Sequence, residues 1–147
     1  MLKVRTDLRA SPIHGIGLYA GEHIPKGTLV WRFCDRFNLR LSRREFAQLP
    51  TVQQSFLCHY GWIDQGDLGH WRVSLDDERF LNHSFAPNLC CDEGGDYATW
   101  SCRDIMAGEE LLEDYTEFYH PNDHQPFVIE LHLQKRRVAD AAELTAR

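Results

Sequence analysis

The sequence predicts a mainly β protein built from several small sheets, with a short helical insertion. Short apolar runs separated by Gly, Pro and Asp occupy most of the chain, which is typical of many short strands. Only the stretch from residue 42 to 58 carries clear helix signals. With 147 residues, 43% of them hydrophobic, the chain is long enough for one domain with its own core.

The strand assignments rest on alternation and on turn residues. Leu2 and Val4 alternate with charged residues and predict an opening strand. Residues 18–20 and 28–33 form two further runs, separated by the turn Pro25-Lys26-Gly27. Two hairpins are predicted next: residues 60–64 with 71–75 across a turn at 65–70, and 89–92 with 97–103 around Gly94-Gly95.

The helical insertion falls within residues 34–58. Ser42 and Glu45 match a capping box, and Thr51 with Gln54 offers a second one directly after Pro50. We therefore predict two short helices broken at Pro50. A weaker apolar pattern over residues 127–146 predicts a helix in the tail.

Charge and cysteine usage limit the function classes. The formal net charge is −6 and no basic stripe is present, so we expect no nucleic-acid binding; an acidic surface favours a basic partner such as a Lys/Arg-rich peptide. The chain shows neither a signal peptide nor an apolar run long enough for a membrane span, so the expected location is the cytoplasm. Its five cysteines contain no CxxC pair, and we expect them to be reduced and mostly buried.

The run Gly15-Ile16-Gly17-Leu18-Tyr19-Ala20 satisfies GxGxxA, a dinucleotide-binding pattern. That mechanism needs a helix beginning at the glycines, whose amino terminus holds the pyrophosphate. Gly21, Pro25 and Gly27 follow instead, within a region that favours strands and turns. The sequence argues against a dinucleotide-binding domain, while a tight turn that needs glycine for steric reasons remains open.

Two longer segments point to a family. Residues 79–88 read RFLNHSFAPN, and residues 108–115 read GEELLEDY. Together with the upstream segment 11–20, they resemble the signature of the SET-domain lysine methyltransferases, in the same order along the chain. The resemblance implies a single SET domain over residues 1–147, with the β-clip-like SET fold and a C-terminal pseudoknot in which the chain near Tyr115 passes under the Asn82-His83 loop.

The same resemblance implies roles for individual residues. Gly15, Ile16, Gly17, Asn82 and His83 would contact S-adenosylmethionine, and Tyr115 would be the catalytic tyrosine. Phe118 or Tyr119 would cover the adenine ring. Taken alone, each residue has a simpler explanation: Asn and His often stabilise turns, and a strand tyrosine is usually a packed aromatic. A serine nucleophile at Ser84 is not supported, because no Gly-x-Ser-x-Gly elbow surrounds it.

Methyl transfer to lysine requires the neutral amine, although free lysine has a pKa of about 10.4. A narrow aromatic channel beside the cofactor's positive charge would lower that pKa. Tyr60 and Trp62, two apart in a predicted strand, are candidate channel walls, with ordinary core packing as the alternative. Glu113 either faces this channel, where it would attract the ammonium group, or turns to solvent or to Arg103.

The chain departs from many SET enzymes in one respect. A cysteine after the NHS triplet and a later cysteine cluster commonly bind zinc there, but Phe85 follows Ser84 and no cysteine follows Cys102. We therefore expect no metal, and we expect the post-SET-like segment 116–147 to close the cofactor pocket. His120 and His124 are a poor metal pair, because Pro121 lies between them and no third ligand is evident.

The sequence thus predicts an S-adenosylmethionine-dependent methyltransferase that acts on a lysine side chain of a protein and is a monomer or a homodimer. Two alternatives stay open: a catalytically silent SET domain that binds peptides, and a methyltransferase for a small-molecule or non-lysine acceptor. The joint presence of Asn82, His83 and Tyr115 favours an active enzyme.

Overall fold

The computed structural model describes residues 1–63, 68–91, 97–119 and 126–145. These ranges contain short strands and helices in an order that confirms the mainly β prediction. The strands are β1 (Thr6–Ala10), β2 (Ile16–Ala20), β3 (Leu29–Arg32), β4 (Asn38–Ser42), β5 (Gly61–Trp62), β6 (His70–Ser74), β7 (Asn82–His83), β8 (Leu89–Cys91), β9 (Ala98–Ser101) and β10 (Leu112–Glu113). The helices are α1 (Arg43–Gln48), α2 (Thr51–Tyr60) and α3 (Pro126–Thr145), and 3₁₀ turns cover Asp77–Phe80 and Tyr115–Glu117.

The described strands form four small sheets. β1 and β2 make an antiparallel hairpin, β3-β9-β8 and β4-β6-β5 are three-stranded antiparallel sheets, and β7 pairs with β10 in parallel. The parallel pair joins the two segments that carried the family resemblance, with Leu112 opposite Asn82 and Glu113 opposite His83. This pairing brings the chain near Tyr115 alongside the Asn82-His83 loop, as the resemblance implies.

The break at Pro50 is confirmed, because α1 ends at Gln48 and α2 begins at Thr51. The capping box at Ser42 and Glu45 is confirmed as well: the Ser42 side chain accepts from Glu45 N, and the Glu45 carboxylate accepts from Ser42 N at 2.7 Å. The second box is wrong, since Pro50 is the N-cap residue of α2 and no side chain caps this helix. The insertion also differs in extent, because β4 occupies residues 38–42 and α2 continues to Tyr60.

Two further predictions need correction, and a third cannot be compared with the described residues. The opening strand begins at Thr6, and Leu2 makes only an isolated bridge to Trp31. The strand predicted from residue 60 begins at Gly61, because α2 continues through Tyr60. The turns at 65–70 and Gly94-Gly95 lie largely or wholly outside the described residues.

The cysteine prediction is also wrong in part. Cys90 and Cys102 form a disulfide, with their Cα atoms 5.6 Å apart. Strands β8 and β9 pair in the register Leu89↔Ser101, which places Cys102, just past β9, next to Cys90. Cys58 is exposed rather than buried. The sequence held no signal for this pairing, because it depends on strand register.

Three apolar clusters form the core of the described part of the chain. The largest is made by Leu18, Ala20, Ile24, Val30, Leu81, Leu89, Ile105 and Leu111. A second lies under the helical insertion, around Leu57, Ile63, Trp71 and Val73, and a third joins Trp62, Tyr119 and Val128. Through Val128, the third cluster anchors α3 to the rest of the chain. None of the helices in the described ranges is long and apolar enough to span a membrane.

Candidate functional site

One cavity of about 690 Å³ brings together most of the residues selected from the sequence. This volume falls in the range of small-molecule and cofactor sites. Four segments form its wall: the glycine turn, the end of α2 with β5, the segment 78–83, and the chain around Tyr115 together with α3. The lining residues are Ile13, His14, Gly15, Ile16, Cys58, His59, Tyr60, Trp62, Glu78, Arg79, Phe80, Leu81, Asn82, His83, Glu113, Tyr115, Phe118, Tyr119, Phe127, Glu130, Leu131 and Gln134.

Asn82 ties the glycine turn to the GEEL segment. Its side-chain Nδ2 lies 3.1 Å from the carbonyl oxygen of His14, 3.3 Å from that of Ile16 and 2.9 Å from Glu110 Oε1. Asn82 is buried, so these bonds satisfy a donor group that would otherwise be costly to remove from water. The asparagine therefore fixes the shape of the turn that lines the cavity.

Gly17 is packed against Glu110 and does not line the cavity. A Cβ on Gly17 would lie 2.8 Å from Glu110 Cδ, closer still to Oε1, and 3.1 Å from Ser11 Cβ. A side chain at this position would therefore displace the Glu110 carboxylate. The cofactor contact predicted for Gly17 remains a prediction, whereas Gly15 and Ile16 do line the cavity.

His83 presents an unpartnered ring nitrogen. Its Nδ1 accepts a hydrogen bond from Tyr115 N at 3.2 Å, which in a neutral ring places the proton on Nε2. Nε2 is buried and has no hydrogen-bond partner within the described part of the chain. Burial lowers the pKa of His83, against the opposing effect of nearby Asp114. A neutral imidazole with an unused donor in the wall of a cavity is suited to hold a polar ligand group.

Asp114 connects this wall to α3. Its Oδ2 accepts from Lys135 Nζ at 2.7 Å, and its Oδ1 accepts from Thr116 N at 3.0 Å and lies 3.9 Å from His83 Nδ1. Burial acts to raise the pKa of Asp114, but the hydrogen bonds from Lys135 and Thr116 outweigh it and keep the pKa below its usual value. Lys135 therefore links the tail helix to the residue directly before Tyr115.

Tyr115 lines the cavity as well. Its hydroxyl donates a hydrogen bond to the carbonyl oxygen of Leu81, and burial together with the charges of Glu113 and Glu78 raises its pKa. Its ring meets that of Phe118 edge to face, with centroids 5.6 Å apart, and Phe118 meets Trp62 in the same way at 6.2 Å. The tyrosine is therefore a neutral hydroxyl in an aromatic enclosure.

Glu113 is buried and lines the cavity, with 3% of its surface exposed. It accepts a hydrogen bond from Thr99 Oγ1 at 3.0 Å, whereas Arg103 pairs with Glu109. Of the two orientations left open by the sequence, the one toward solvent or Arg103 is wrong. Burial raises the pKa of Glu113 to about 8, and the charge of Glu78 adds to the rise.

The structure thus gathers Gly15, Ile16, Tyr60, Trp62, Asn82, His83, Glu113, Tyr115 and Phe118 around one cavity. Tyr60 and Trp62 reach it from different elements, since Tyr60 ends α2 and Trp62 lies in β5. Gly61, the residue directly after the helix, leaves no room for a side chain, because a Cβ there would lie 2.7 Å from the carbonyl oxygens of both Arg72 and Leu57. His120 and His124 lie outside the described residues, and the part of the chain that is described holds no group of three or more potential metal ligands.

Sequence reasoning missed several residues at the cavity. Glu78 lines it from the 3₁₀ turn Asp77–Phe80, and Phe127, Glu130, Leu131 and Gln134 line it from α3. Glu78 follows two aspartates, and nothing in this acidic run distinguishes a buried carboxyl group from an exposed one. The family resemblance implied that segment 116–147 closes the pocket, and α3 does line the cavity, but the apolar spacing of the tail did not indicate which of its residues do so.

Comparison with known proteins places these features in a family. The SET domain profile matches residues 15–116. A provisionally named histone-lysine N-methyltransferase 1 of Plasmodium falciparum is 31% identical over 124 residues, which cover 76% of this chain and 2% of that protein. The Schizosaccharomyces pombe histone-lysine N-methyltransferase, H3 lysine-4 specific, is 32% identical over 113 residues, or 71% of this chain and 12% of that protein.

Solved structures share the fold. The crystal structure of the Chaetomium thermophilum polycomb repressive complex 2 includes a chain that superposes with a TM-score of 0.57 at 23% identity, covering 84% of this chain and 16% of that one. The chain described here therefore spans only a small part of the length of these relatives.

Proposed function

We propose that this chain, which belongs to the SET-domain family, transfers a methyl group from S-adenosylmethionine to a lysine side chain of a protein. The observation that carries the proposal is the shared cavity: the glycine turn, the Asn82-His83 strand and Tyr115 meet around one space of about 690 Å³. The acceptor is a Lys/Arg-rich segment, which suits the net charge of −6. Two relatives bear the name histone-lysine methyltransferase, which supports this substrate class.

The residues present fit the cofactor. The unpartnered His83 Nε2 offers a buried donor, Gly15 and Ile16 offer backbone groups in the same wall, and Phe118 offers an aromatic face. When bound, S-adenosylmethionine supplies a methyl group on a positively charged sulfur. Gly15, Ile16, Asn82, His83 and Phe118 would hold it.

The chain's own contribution is to position the reacting groups among aromatic side chains. Tyr115 lies among the rings of Phe118, Tyr119 and His83, whose centroids are 5.3–5.6 Å from its own. Its hydroxyl is fixed on the carbonyl of Leu81 and stays protonated at neutral pH, so its oxygen can accept a hydrogen bond from an amine. Tyr60 and Trp62 supply aromatic walls along which an aliphatic lysine stem can pack.

Two measurements test the proposal in sequence. Calorimetric titration of S-adenosylmethionine, and separately of its demethylated product, should show binding to the purified chain. Transfer of labelled methyl groups to a cell lysate, followed by mass spectrometry of the labelled bands, should then locate the label on lysine. Absence of cofactor binding at millimolar concentration would refute the proposal, and label on a residue other than lysine would refute its substrate assignment.

A further inference from the structure

Two carboxyl groups, those of Glu78 and Glu113, line the cavity beside Tyr115. They come from separate elements: Glu78 from the 3₁₀ turn Asp77–Phe80, and Glu113 from β10. Both are buried, with 9% and 3% of their surfaces exposed. A buried carboxyl group is rare unless it is paired with a cation or a hydrogen-bond donor or has a functional role, because burial penalises its charge.

One carboxyl oxygen of Glu78 accepts no hydrogen bond from the described part of the protein. Its Oε2 is buried and has no hydrogen-bond partner there, while Ser74 hydrogen-bonds to the side chain. The backbone around it is fixed, because Glu78 N donates to Asp76 Oδ1 at 3.3 Å and Leu81 N donates to the Glu78 carbonyl at 2.9 Å. An unsatisfied acceptor in a cavity wall indicates a missing donor.

The groups around the pair set its charge. Burial is the main cause that raises the pKa of Glu78 to about 7 and that of Glu113 to about 8, and each group has further negative neighbours. Asp76 raises the pKa of Glu78 and the N-terminal amino group lowers it, whereas Glu117 raises that of Glu113. The pair therefore loses its protons near neutral pH, where a substrate amine must lose one.

We propose that Glu78 and Glu113 bind the ammonium group of the target lysine and accept the proton that it must lose before methyl transfer. This inference rests on the proposed function and adds a substrate-binding and proton-accepting role for two residues. In the step, an N–H bond of the ammonium breaks, its electron pair stays on nitrogen, and the proton forms an O–H bond with a carboxylate of the pair. A cation and a carboxylate become a neutral amine and a neutral carboxylic acid, so charge and atoms balance.

This assignment explains the features of the cavity together. A protonated carboxylic acid is far less costly to bury than a carboxylate, so accepting the proton relieves the burial penalty. The aromatic walls favour the neutral amine for the same reason. Tyr115 is suited to orient the amine rather than to take its proton, because its hydroxyl is already protonated and donates to Leu81.

The first test uses a lysine side-chain analogue and does not depend on a known substrate. n-Butylamine is titrated into the protein, and the Trp62 indole and His83 ring signals are followed by NMR. We expect binding to strengthen from pH 6 to pH 9 as the pair ionises, and to weaken at least tenfold in Glu78→Gln and in Glu113→Gln. Butyltrimethylammonium, which has the same charge but no N–H group, should bind several-fold more weakly. Asp77→Asn removes a charge next to Glu78 from a side chain outside the cavity wall and should leave butylamine binding unchanged.

The second test follows methyl transfer against pH. In wild type the rate should rise through the window from about pH 7 to pH 8, and both Gln variants should lose most of the rate there while cofactor binding is retained. Suppose that wild type transfers methyl groups and that both variants keep its transfer rate and its butylamine binding. This result would overturn the inference and leave the proposed function standing. A profile that moves to lower pH with the rate retained would also overturn it, since the pair would then only hold the ammonium. If wild type neither binds cofactor nor transfers methyl groups, the proposed function fails, and the butylamine titration still decides whether the pair binds amines.

Discussion

Substituting Gly17 tests why the glycine turn contains glycine. In Gly17→Ala, the new Cβ would lie 2.8 Å from Glu110 Cδ and closer still to Oε1, so the carboxylate must move. That movement breaks the bonds that Glu110 accepts from Asn82 Nδ2 at 2.9 Å and from the Tyr19 hydroxyl at 3.2 Å. A hydrogen bond to a charged group contributes about 1.5–3 kcal/mol, and Glu110 is partly exposed, so we expect a total loss of about 2 kcal/mol in the free energy of unfolding.

The structural cause can be isolated with a double-mutant cycle. Urea denaturation of wild type, Gly17→Ala, Glu110→Ala and the double variant gives the coupling between the two sites. If the cost of Gly17→Ala arises from displacing the carboxylate, the alanine should cost little once Glu110 is already truncated, and the coupling should be about 2 kcal/mol. Additive effects would refute this explanation.

Gly15 provides the matched control. Its φ is +49°, and nothing lies within 4 Å of a Cβ built on it. Gly15→Ala should therefore cost about 1–2 kcal/mol through backbone conformation alone. That cost should be the same with and without the Glu110 side chain. The two positions of this motif thus favour glycine for different physical reasons. A double-mutant cycle with Glu110 at each position distinguishes the two reasons.

Three other changes probe the cavity wall. Tyr115→Phe should keep cofactor affinity, measured by calorimetry, and lower the methyl-transfer rate by roughly 10²–10³-fold, as for loss of a positioned polar group; equal rates would return Tyr115 to a packing role. Lys135→Met removes the partner of Asp114 Oδ2 and, because half of the lysine side chain is exposed, should cost only about 1 kcal/mol of stability, whereas Arg136→Met should cost nothing measurable. Since burial raises the folded-state pKa of Glu113 from 4.5 to about 8, the folded state binds the extra proton and stability should fall as pH rises from about 4.5 to 8; thermal melts of Glu113→Gln should show a smaller fall, and an equal one would count against the buried carboxyl.

Local signals in the sequence predicted the secondary-structure elements better than they predicted what each element packs against. The capping box at Ser42 and the break at Pro50 depend on a few neighbouring residues, and both were confirmed. The disulfide between Cys90 and Cys102 depends on the register of β8 against β9, which no local pattern specifies. Tyr60 is a further case, because no local pattern indicated that it ends α2 and that the strand begins only at Gly61.

Burial of charged residues was the property that the sequence concealed most. Glu78, Glu109, Glu110 and Glu113 are identical in type, yet Glu109 pairs with Arg103 at the surface, Glu110 supports Asn82, and the other two line the cavity. Glu113 reaches the cavity through the parallel pairing of β10 with β7, which joins segments about thirty residues apart. Once that pairing exists, alternation along β10 explains Glu113: residues 111 and 113 point to the interior, and 112 lies less deeply between them. A strand of two residues carries too little pattern to be recognised in advance, so the chemistry of the acid pair becomes visible only when the two segments have been brought together.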